Sequence, residues 1–199
     1  MPGEFAIYAA LWASFGLGHS LLAEHRVRAW MIRRVGRGER LVYNLIASLH
    51  LLLVLSAGAW LLGGLPALPV PWPLRAVMLA AVLAGLLVLA AAGRSYDLGR
   101  FSGLAQWRGA VRDTPWDAPE PLVTAGMNRR VRHPLYLGLL LVLWGLAFTP
   151  LSLATALCAS AYIAIGIRAE ERKLRARYGD AYVAYCARVP ALLPRPWRS

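Results

Sequence analysis

Four stretches of the chain are too apolar and too poor in charge to be exposed to water. Three of them, residues 5–23, 42–62 and 74–93, have about the 20 residues that a helix needs to cross the core of a bilayer. The fourth, residues 135–167, has no charged residue and is too long for one crossing. Because a bilayer offers no water to backbone N–H and C=O groups, runs of this kind predict membrane-spanning helices.

The fourth run divides at Thr149-Pro150. Proline has no backbone N–H and disfavours helix at the residue before it, so we predict a tight hairpin of two short spans. This gives five spans in an all-α integral membrane protein with one domain, residues 1–199. Residues 1–93 hold three spans, and residues 94–199 hold a polar loop, the hairpin and a C-terminal amphipathic helix.

The basic residues indicate how the chain crosses the membrane. Segments 24–41, 94–134 and the tail from residue 168 hold 21 of the 22 lysines and arginines. The positive-inside rule places these segments in the cytoplasm, with the N-terminus outside and the C-terminus inside. No basic segment precedes residues 5–23, which are therefore expected to be a retained span and not a signal peptide. The net charge of +12 is mostly this topology signal, so no nucleic-acid partner is predicted.

The two cysteines predict neither a disulfide nor a metal site. Cys158 lies inside a span, and Cys186 lies in the tail. The sequence has no CxxC, HExxH or GxSxG motif and no glycine-rich phosphate loop. No protein partner can be inferred.

The segment RRVRHPLYLG, residues 129–138, places basic residues, a histidine and a proline before an apolar run. Arg129 and Arg130 have an ordinary explanation, since such residues set topology and reach towards lipid headgroups. Pro134 suits the first turn of a helix, and His133 suits an N-cap or an interface position. The helix N-terminus that follows carries partial positive charge and N–H groups, which favour a carboxylate or a phosphate.

Two glutamates follow the last predicted span on the same membrane face as His133. A hairpin brings Glu170 and Glu171 near that histidine, and two explanations stay open. Glu171 with Arg175 and Glu170 with Lys173 have the spacing of solvated ion pairs on a helix. Alternatively, a carboxylate faces a polar pocket and is available to a hydroxyl pair, an ammonium or a sulfonium.

The tail also predicts a helix that lies against an apolar surface, either the membrane or the mouth of the bundle. Apolar side chains recur there at spacings of three and four, and Val189-Pro190 ends the pattern. These positions are Leu174, Tyr178, Ala181, Tyr182 and Tyr185.

RHPLYLG, followed after a hairpin by EERKLRARYGDAYVAYCARVPALLP, resembles the C-terminal signature of the isoprenylcysteine carboxyl methyltransferase family. The likeness covers roughly residues 120–194. The first half, with GHSLLAEHRVR and ERLVYNLIASLHLLL, is more similar to bacterial relatives of that family. These relatives are the methanethiol S-methyltransferases and the NnrU-like membrane proteins.

The resemblance implies an S-adenosylmethionine-dependent methyltransferase of the bacterial inner membrane. Its cofactor would lie in a cytoplasmic pocket covered by the loop and the tail, and the methyl acceptor would arrive from the lipid. The implied cofactor contacts are Leu122, Val123, His133, Pro134, Leu135, Tyr136 and Glu170, with Tyr182 and Tyr185 in the lid.

Departures from the family pattern bear on the acceptor. Asn128 stands where the family's loop often has tyrosine, and Gly166 stands where an arginine would hold a substrate carboxylate. The glycine favours a small thiol over the carboxyl of a prenylcysteine. A thiol reacts as its thiolate, so a cation or a base should lie nearby. The candidates are His133, Arg132 and Arg168.

Two other functions stay open. The NnrU likeness allows a haem-binding protein or an isomerase, with His19 and His50 as axial ligands. Single histidines in membranes more often hydrogen-bond between helices. A scaffold or transporter subunit would carry acidic or basic groups along its spans, where these two histidines stand alone apart from Arg75 at one end of residues 74–93.

Overall fold

The computed structural model describes residues 2–94, 97–109 and 122–193, and all regular secondary structure in these ranges is helical. The predicted all-α class is confirmed. Short 3-10 turns span Gly36–Gly38 and Gly126–Arg129. The α-helices in these ranges are α1 (Pro2–Leu22), α2 (His25–Val35), α3 (Glu39–Leu62), α4 (Trp72–Gly93), α5 (Leu98–Ser102), α6 (Leu104–Trp107), α7 (Pro134–Gly145), α8 (Pro150–Tyr178) and α9 (Asp180–Arg188).

The lengths of the apolar helices confirm an integral membrane protein. In the described ranges, four helical segments are long and apolar enough to cross a membrane: α1, the segment His25–Leu62 with α3 as its apolar part, α4 and α8. The fourth predicted span, the first half of the hairpin, corresponds to α7, which has 12 residues. At 1.5 Å per residue α7 is about 18 Å long, well short of the roughly 30 Å core of a bilayer.

The predicted break between α7 and α8 lies at Thr149. The Thr149 hydroxyl accepts a hydrogen bond from the backbone N–H of Ser152 at 3.1 Å, and the Ser152 hydroxyl accepts one from the N–H of Thr149 at 2.9 Å. This reciprocal cap satisfies N–H groups that the first helical turn leaves unpaired. Pro150 occupies the first helical position, where the absence of an N–H is harmless.

The tail differs from its prediction in where the helices end. Glu170 and Glu171 follow the apolar run, as predicted, but they lie inside α8, about two turns before its end at Tyr178, because the helix of the last span continues into the tail. The stretch RAEERKLRARY consists mostly of strong helix formers, so the helix continues past the apolar boundary. Gly179, with φ +53°, ends it in a conformation that favours glycine, and the predicted tail helix is thereby split into the end of α8 and α9. The predicted end of the tail helix before Val189-Pro190 is confirmed.

The chain divides into two compact units. The first comprises Met1–Leu65 with Tyr96–Pro119, and the second comprises Pro66–Ser95 with Glu120–Ser199. The three predicted N-terminal spans are therefore shared between the units, because α4 belongs to the second. The proline-containing part of the predicted polar loop, 110–121, lies outside the described residues.

In the first unit, α1 packs along α3 through a column of aromatic side chains. Tyr8, Trp12 and Phe15 are buried, and their rings meet edge to face. The same face of α1 carries His19, whose Nε2 is hydrogen-bonded to the Tyr43 hydroxyl of α3 at 2.6 Å. The Nε2 of His50, on α3, is 3.2 Å from the Ser14 hydroxyl of α1. Both histidines thus bond between helices.

In the second unit, α4 and α7 approach closely through glycines. A Cβ placed on Gly85 would lie 2.7 Å from the carbonyl oxygen of Gly138, and one placed on Gly138 would lie 2.7 Å from Leu89. A Cβ on Gly145 would lie 2.5 Å from the carbonyl oxygen of Met78. Small residues at such seams are typical of helix pairs in membranes, where close packing replaces the hydrophobic effect as the driving force.

We expect Gly85→Ala to destabilise the second unit by about 1–3 kcal/mol, because the added methyl group overlaps α7. Gly93→Ala is the matched control on α4, since a Cβ there meets no atom of the described residues within 4 Å. The measurement is the free energy of unfolding in mixed micelles as the denaturing detergent is increased. Equal stability of the two variants would contradict the close approach of α4 and α7.

Candidate functional site

Arg132 joins three parts of the second unit. Its Nε donates to Glu171 Oε1 of α8 at 2.9 Å, and its Nη2 donates to the same oxygen. Its Nη1 donates to the carbonyl oxygen of Val189 at 2.5 Å and, more weakly, to that of Cys186 at 3.4 Å. The backbone N–H of Arg132 donates to the carbonyl oxygen of Pro190 at 2.9 Å. One arginine therefore holds the loop, α8 and the end of α9 together.

His133 is buried, with 5% of its surface exposed, and both ring nitrogens face carboxylates. Nε2 is 3.2 Å from Glu171 Oε1, within hydrogen-bond distance, and Nδ1 is 3.7 Å from Glu170 Oε2. The ring stacks on that of Tyr136 one turn into α7, with centroids 5.6 Å apart. The backbone N–H of His133 donates to the carbonyl oxygen of Ala191 at 3.1 Å, which adds a second backbone bond to the tail.

The two glutamates have different surroundings. The Glu171 side chain is 14% exposed and also lies 3.8 Å from Arg175, the partner that helical spacing predicted. The Glu170 side chain is 46% exposed, and within the described ranges no ion pair joins it to Lys173. The ion-pair explanation therefore applies to Glu171, but in a more buried setting than expected. The carboxylate of Glu170 faces His133 and is also about half exposed.

The importance of Glu171 was missed from the sequence, although a signal for it exists. The buried positions of α8 follow one stripe, spaced by three and four residues, and Glu171 comes four residues after the last of them. Glu171 falls on this stripe only if the helix is assumed to continue beyond the apolar run that ends at residue 167. The buried positions are Ala156, Ala159, Ile163 and Ile167.

The charge of Arg132 is maintained by its partner. Burial disfavours the charged guanidinium, but the hydrogen bonds and the negative charge of Glu171 outweigh this cost and raise the pKa of Arg132 above its usual value. All three guanidinium nitrogens donate to groups of the protein. The arginine is therefore committed to internal contacts.

The tail forms a small core of its own. Tyr182, Tyr185 and Val189 are buried together, and Leu122 and Leu174 are among the side chains packed against them. The Tyr185 hydroxyl donates to the carbonyl oxygen of Asn128 at 2.6 Å, so Asn128 takes part through its backbone.

The hydroxyl of Tyr182 is buried and makes no hydrogen bond to the described part of the chain. Burial, the negative charge of Glu171 and the neighbouring Cys186 raise the pKa of Tyr182 above its usual value. The phenol therefore stays protonated and can act as a hydrogen-bond donor but not as a base. An unpaired buried hydroxyl is costly, so a ligand acceptor would be stabilised there.

The structure brings most, but not all, of the predicted site residues into this cluster. Arg132, His133, Tyr136 and Glu170 surround or adjoin Glu171, while Pro134 is buried beneath them at the start of α7 and Leu135 is half-buried beside it. Leu122, Tyr182 and Tyr185 form the tail core. Val123 and Arg168 are exposed and are not among these contacts.

Sequence comparison connects this geometry to known enzymes. Methanethiol S-methyltransferase 2 of Bradyrhizobium diazoefficiens is 33% identical over 193 residues, which cover 93% of this chain and 71% of that protein. The chain belongs to the methanethiol S-methyltransferase family. Methanethiol S-methyltransferase 1 of the same bacterium is 34% identical, and the chain spans 65% of its length. Methanethiol S-methyltransferase of Mycobacterium tuberculosis is 32% identical and is covered over 75% of its length. No family model and no solved structure matches the chain.

Membership of the methanethiol S-methyltransferase family confirms the predicted methyltransferase. The similarity extends over nearly the whole chain and is not restricted to the C-terminal signature. The haem and scaffold alternatives are not needed to account for it. His19 and His50, the candidate haem ligands, form hydrogen bonds between α1 and α3.

We expect Arg132→Gln to release the tail, because it breaks the buried ion pair and removes the side-chain bonds to Val189 and Cys186. Because the side chains of Arg132 and Glu171 stay 10% and 14% exposed, the cost should fall below the roughly 3–5 kcal/mol typical of a fully buried pair. The measurement is hydrogen exchange of the backbone amides of residues 182–193, which should become faster. The exposed Arg130→Gln is the charge-matched control. Unchanged exchange in Arg132→Gln would show that the tail is held by its aromatic core alone.

Proposed function

We propose that this methyltransferase transfers a methyl group from S-adenosylmethionine to a small apolar thiol. The observation that supports the site most directly is the position of His133, buried between the carboxylates of Glu171 and Glu170. The buried Tyr182 hydroxyl lies near enough to Glu171 for that carboxylate to raise the pKa of the phenol. The thiol acceptor is supported by the names of the relatives.

The residues around His133 fit the proposed cofactor. The half-buried ring of Tyr136, held by stacking on His133, offers a flat surface for adenine, and the half-exposed carboxylate of Glu170 suits a ribose diol. The Tyr182 hydroxyl has no nitrogen or oxygen acceptor in the described part of the chain, so it can donate to the cofactor. The N-terminus of α7 offers the backbone N–H groups of Leu135 and Tyr136 to the carboxylate of the methionine part, and Pro134, which has no N–H, fixes the start of the helix.

The remaining predicted contacts would contribute apolar surface. Leu122 packs on the tail core next to Tyr182 and Tyr185, and Val123 follows it with its side chain exposed. In this proposal the tail covers the cofactor, and Arg132 and the Tyr185 hydroxyl hold the tail in place. Arg132 is thus a positioning residue, because its donors are occupied by Glu171 and the tail carbonyls.

When bound, S-adenosylmethionine supplies a methyl group on a positively charged sulfur, open to in-line attack by a thiolate. His133 is the group best placed to take the thiol proton. The carboxylate of Glu171 only accepts hydrogen bonds, so it favours the tautomer with hydrogen on Nε2 and leaves Nδ1 as an acceptor. The S–H bond then breaks as an N–H bond forms at Nδ1, and the negative charges of Glu171 and Glu170 stabilise the resulting imidazolium. Arg168, exposed one turn before Glu171, is the secondary candidate for this role.

Gly166 supports a small acceptor over a prenylcysteine. No side chain at this position can pair with a substrate carboxylate, and a Cβ built there meets no described atom within 4 Å. A small thiol needs no such partner and partitions into the bilayer that the apolar helices require. We further propose that the chain lies in a bacterial inner membrane with its N-terminus outside, so that the C-terminus and the site face the cytoplasm.

The acceptor is tested by supplying labelled S-adenosylmethionine to the purified chain with methanethiol, a longer alkanethiol or a prenylated cysteine. We expect label in the thioether products and none in a methyl ester. Transfer only to the carboxyl of the prenylcysteine would contradict the thiol proposal. Absence of transfer and of cofactor binding, together with a haem absorption band, would favour the haem alternative.

The role of the Tyr182 hydroxyl is tested by Tyr182→Phe. Losing one hydrogen bond to a ligand should weaken binding of S-adenosylmethionine about three- to tenfold, measured by calorimetry. Stability without the ligand should be unchanged or higher, because an unpaired buried hydroxyl is removed. Tyr185→Phe is the control: it removes the bond to Asn128 and should lower stability by about 1 kcal/mol with a smaller effect on affinity. Unchanged affinity in Tyr182→Phe would mean that the hydroxyl does not contact the cofactor.

A further inference from the structure

A second surface with chemistry of its own lies on α2, in the first unit. This helix joins α1 to α3, and both neighbouring segments are apolar enough to cross a membrane. Its N-terminus is capped by Glu24, whose carboxylate accepts a hydrogen bond from the backbone N–H of Arg26 at 2.7 Å. From His25 to Gly38 the sequence contains five arginines and no acidic residue.

The inner side of α2 is fixed to its own unit. Met31 is buried. Arg28 forms a bidentate ion pair with the buried Glu39 at the start of α3, in which Nε donates to Oε1 at 2.7 Å and Nη2 donates to Oε2 at 3.2 Å. Arg28 is therefore a structural arginine. The pair fixes the rotation of α2 about its axis and so determines which residues face outwards.

The outer side of α2 presents three arginines around a tryptophan. Arg26, Arg33 and Arg34 are exposed, and within the described ranges none of them forms an ion pair. Trp30 lies four residues after Arg26 and is 52% exposed, and the guanidinium of Arg34 lies over its ring at 5.6 Å from the centroid. We define these four residues as the Arg–Trp face.

This arrangement fits the headgroup region of a bilayer better than it fits water. Tryptophan is enriched at membrane–water interfaces, where one side of the ring is apolar and the other is wet. Guanidinium groups bind phosphate oxygens through paired donors. A topology signal requires only positive charge, whereas here the charges are placed around an exposed aromatic ring at a fixed rotation of the helix. Because α2 lies between two membrane-crossing segments, the surface of the same bilayer is within its reach.

We propose that the Arg–Trp face binds the headgroups of anionic phospholipids in the membrane that holds the chain. The lipid phosphate lies between the arginines, and the Trp30 ring rests against the upper part of the acyl chains. The acyl chains distinguish this partner from free phosphate, which would not engage the ring.

The test uses the full chain in mild detergent, so that the orientation of a variant in the host membrane does not enter the result. Phosphatidylglycerol or phosphatidylcholine is added, and native mass spectrometry measures how much of each stays bound. We expect a preference for phosphatidylglycerol that weakens with salt and that is not abolished by inorganic phosphate at constant ionic strength. Combined Arg26→Gln, Arg33→Gln and Arg34→Gln should lower the preference by about fivefold for each arginine that contacts the lipid.

The control is Arg172→Gln, Lys173→Gln and Arg177→Gln, which removes the same charge from exposed positions on α8. The control should keep the preference for phosphatidylglycerol. An equal loss in both triple variants would show an effect of net charge alone and would overturn the proposal. Circular dichroism checks that both variants keep their helices.

The position of the bound lipid is tested with phosphatidylglycerol brominated near the headgroup end of its chains. Bromine quenches tryptophan at short range, and the difference between the wild type and Trp30→Phe isolates the contribution of Trp30. We expect that contribution to be quenched by the brominated phosphatidylglycerol and much less by brominated phosphatidylcholine. Lipid binding without quenching of Trp30 would place the bound lipid elsewhere and would overturn the proposal.

Discussion

The ion pair between Arg132 and Glu171 is the interaction on which the C-terminal half of the molecule depends. Glu171 lies on the buried stripe of α8, where an unpaired carboxylate would be strongly unfavourable. Arg132 neutralises it and gives its remaining donors to the carbonyls of Val189 and Cys186. The tail therefore closes because a buried charge needs a partner, and the aromatic core of Tyr182 and Tyr185 fills the space beneath it.

The same pair determines which groups remain available to a ligand. Glu171 and Arg132 satisfy each other, whereas Glu170 beside His133 and the Tyr182 hydroxyl in the tail core keep hydrogen-bonding capacity that the described part of the chain does not use. Methyl transfer from a sulfonium asks little covalent chemistry of a protein, and alignment with exclusion of water accounts for most of the rate. A buried histidine held between two carboxylates, next to a tail that Arg132 anchors, is suited to the role proposed for it.

Helix packing in this chain relies on close approach instead of hydrophobic burial. Lipid tails are as apolar as leucine, so many large apolar side chains, such as Trp60 and Leu87, are exposed at no cost in a bilayer. Contact between helices is made where glycines allow it, at Gly85 and Gly138 in the second unit and at Gly58 against Tyr8 in the first. The rigid helices that result give the loop of Arg132 and His133 a fixed base.

The sequence alone determined the all-α membrane class, the break at Thr149-Pro150 and the family, because apolar run length, proline and a spaced motif are local properties of the chain. It also identified His133 and Glu170 as site candidates from the RHP and EE elements. Only the tertiary structure decided which glutamate is buried, because this depends on α8 continuing to Tyr178 and on the face that it turns towards Arg132. Likewise, the carbonyls that hold the tail and the unpaired Tyr182 hydroxyl have no signature in sequence. A hydrogen bond between distant segments depends on how they pack, which local patterns do not encode.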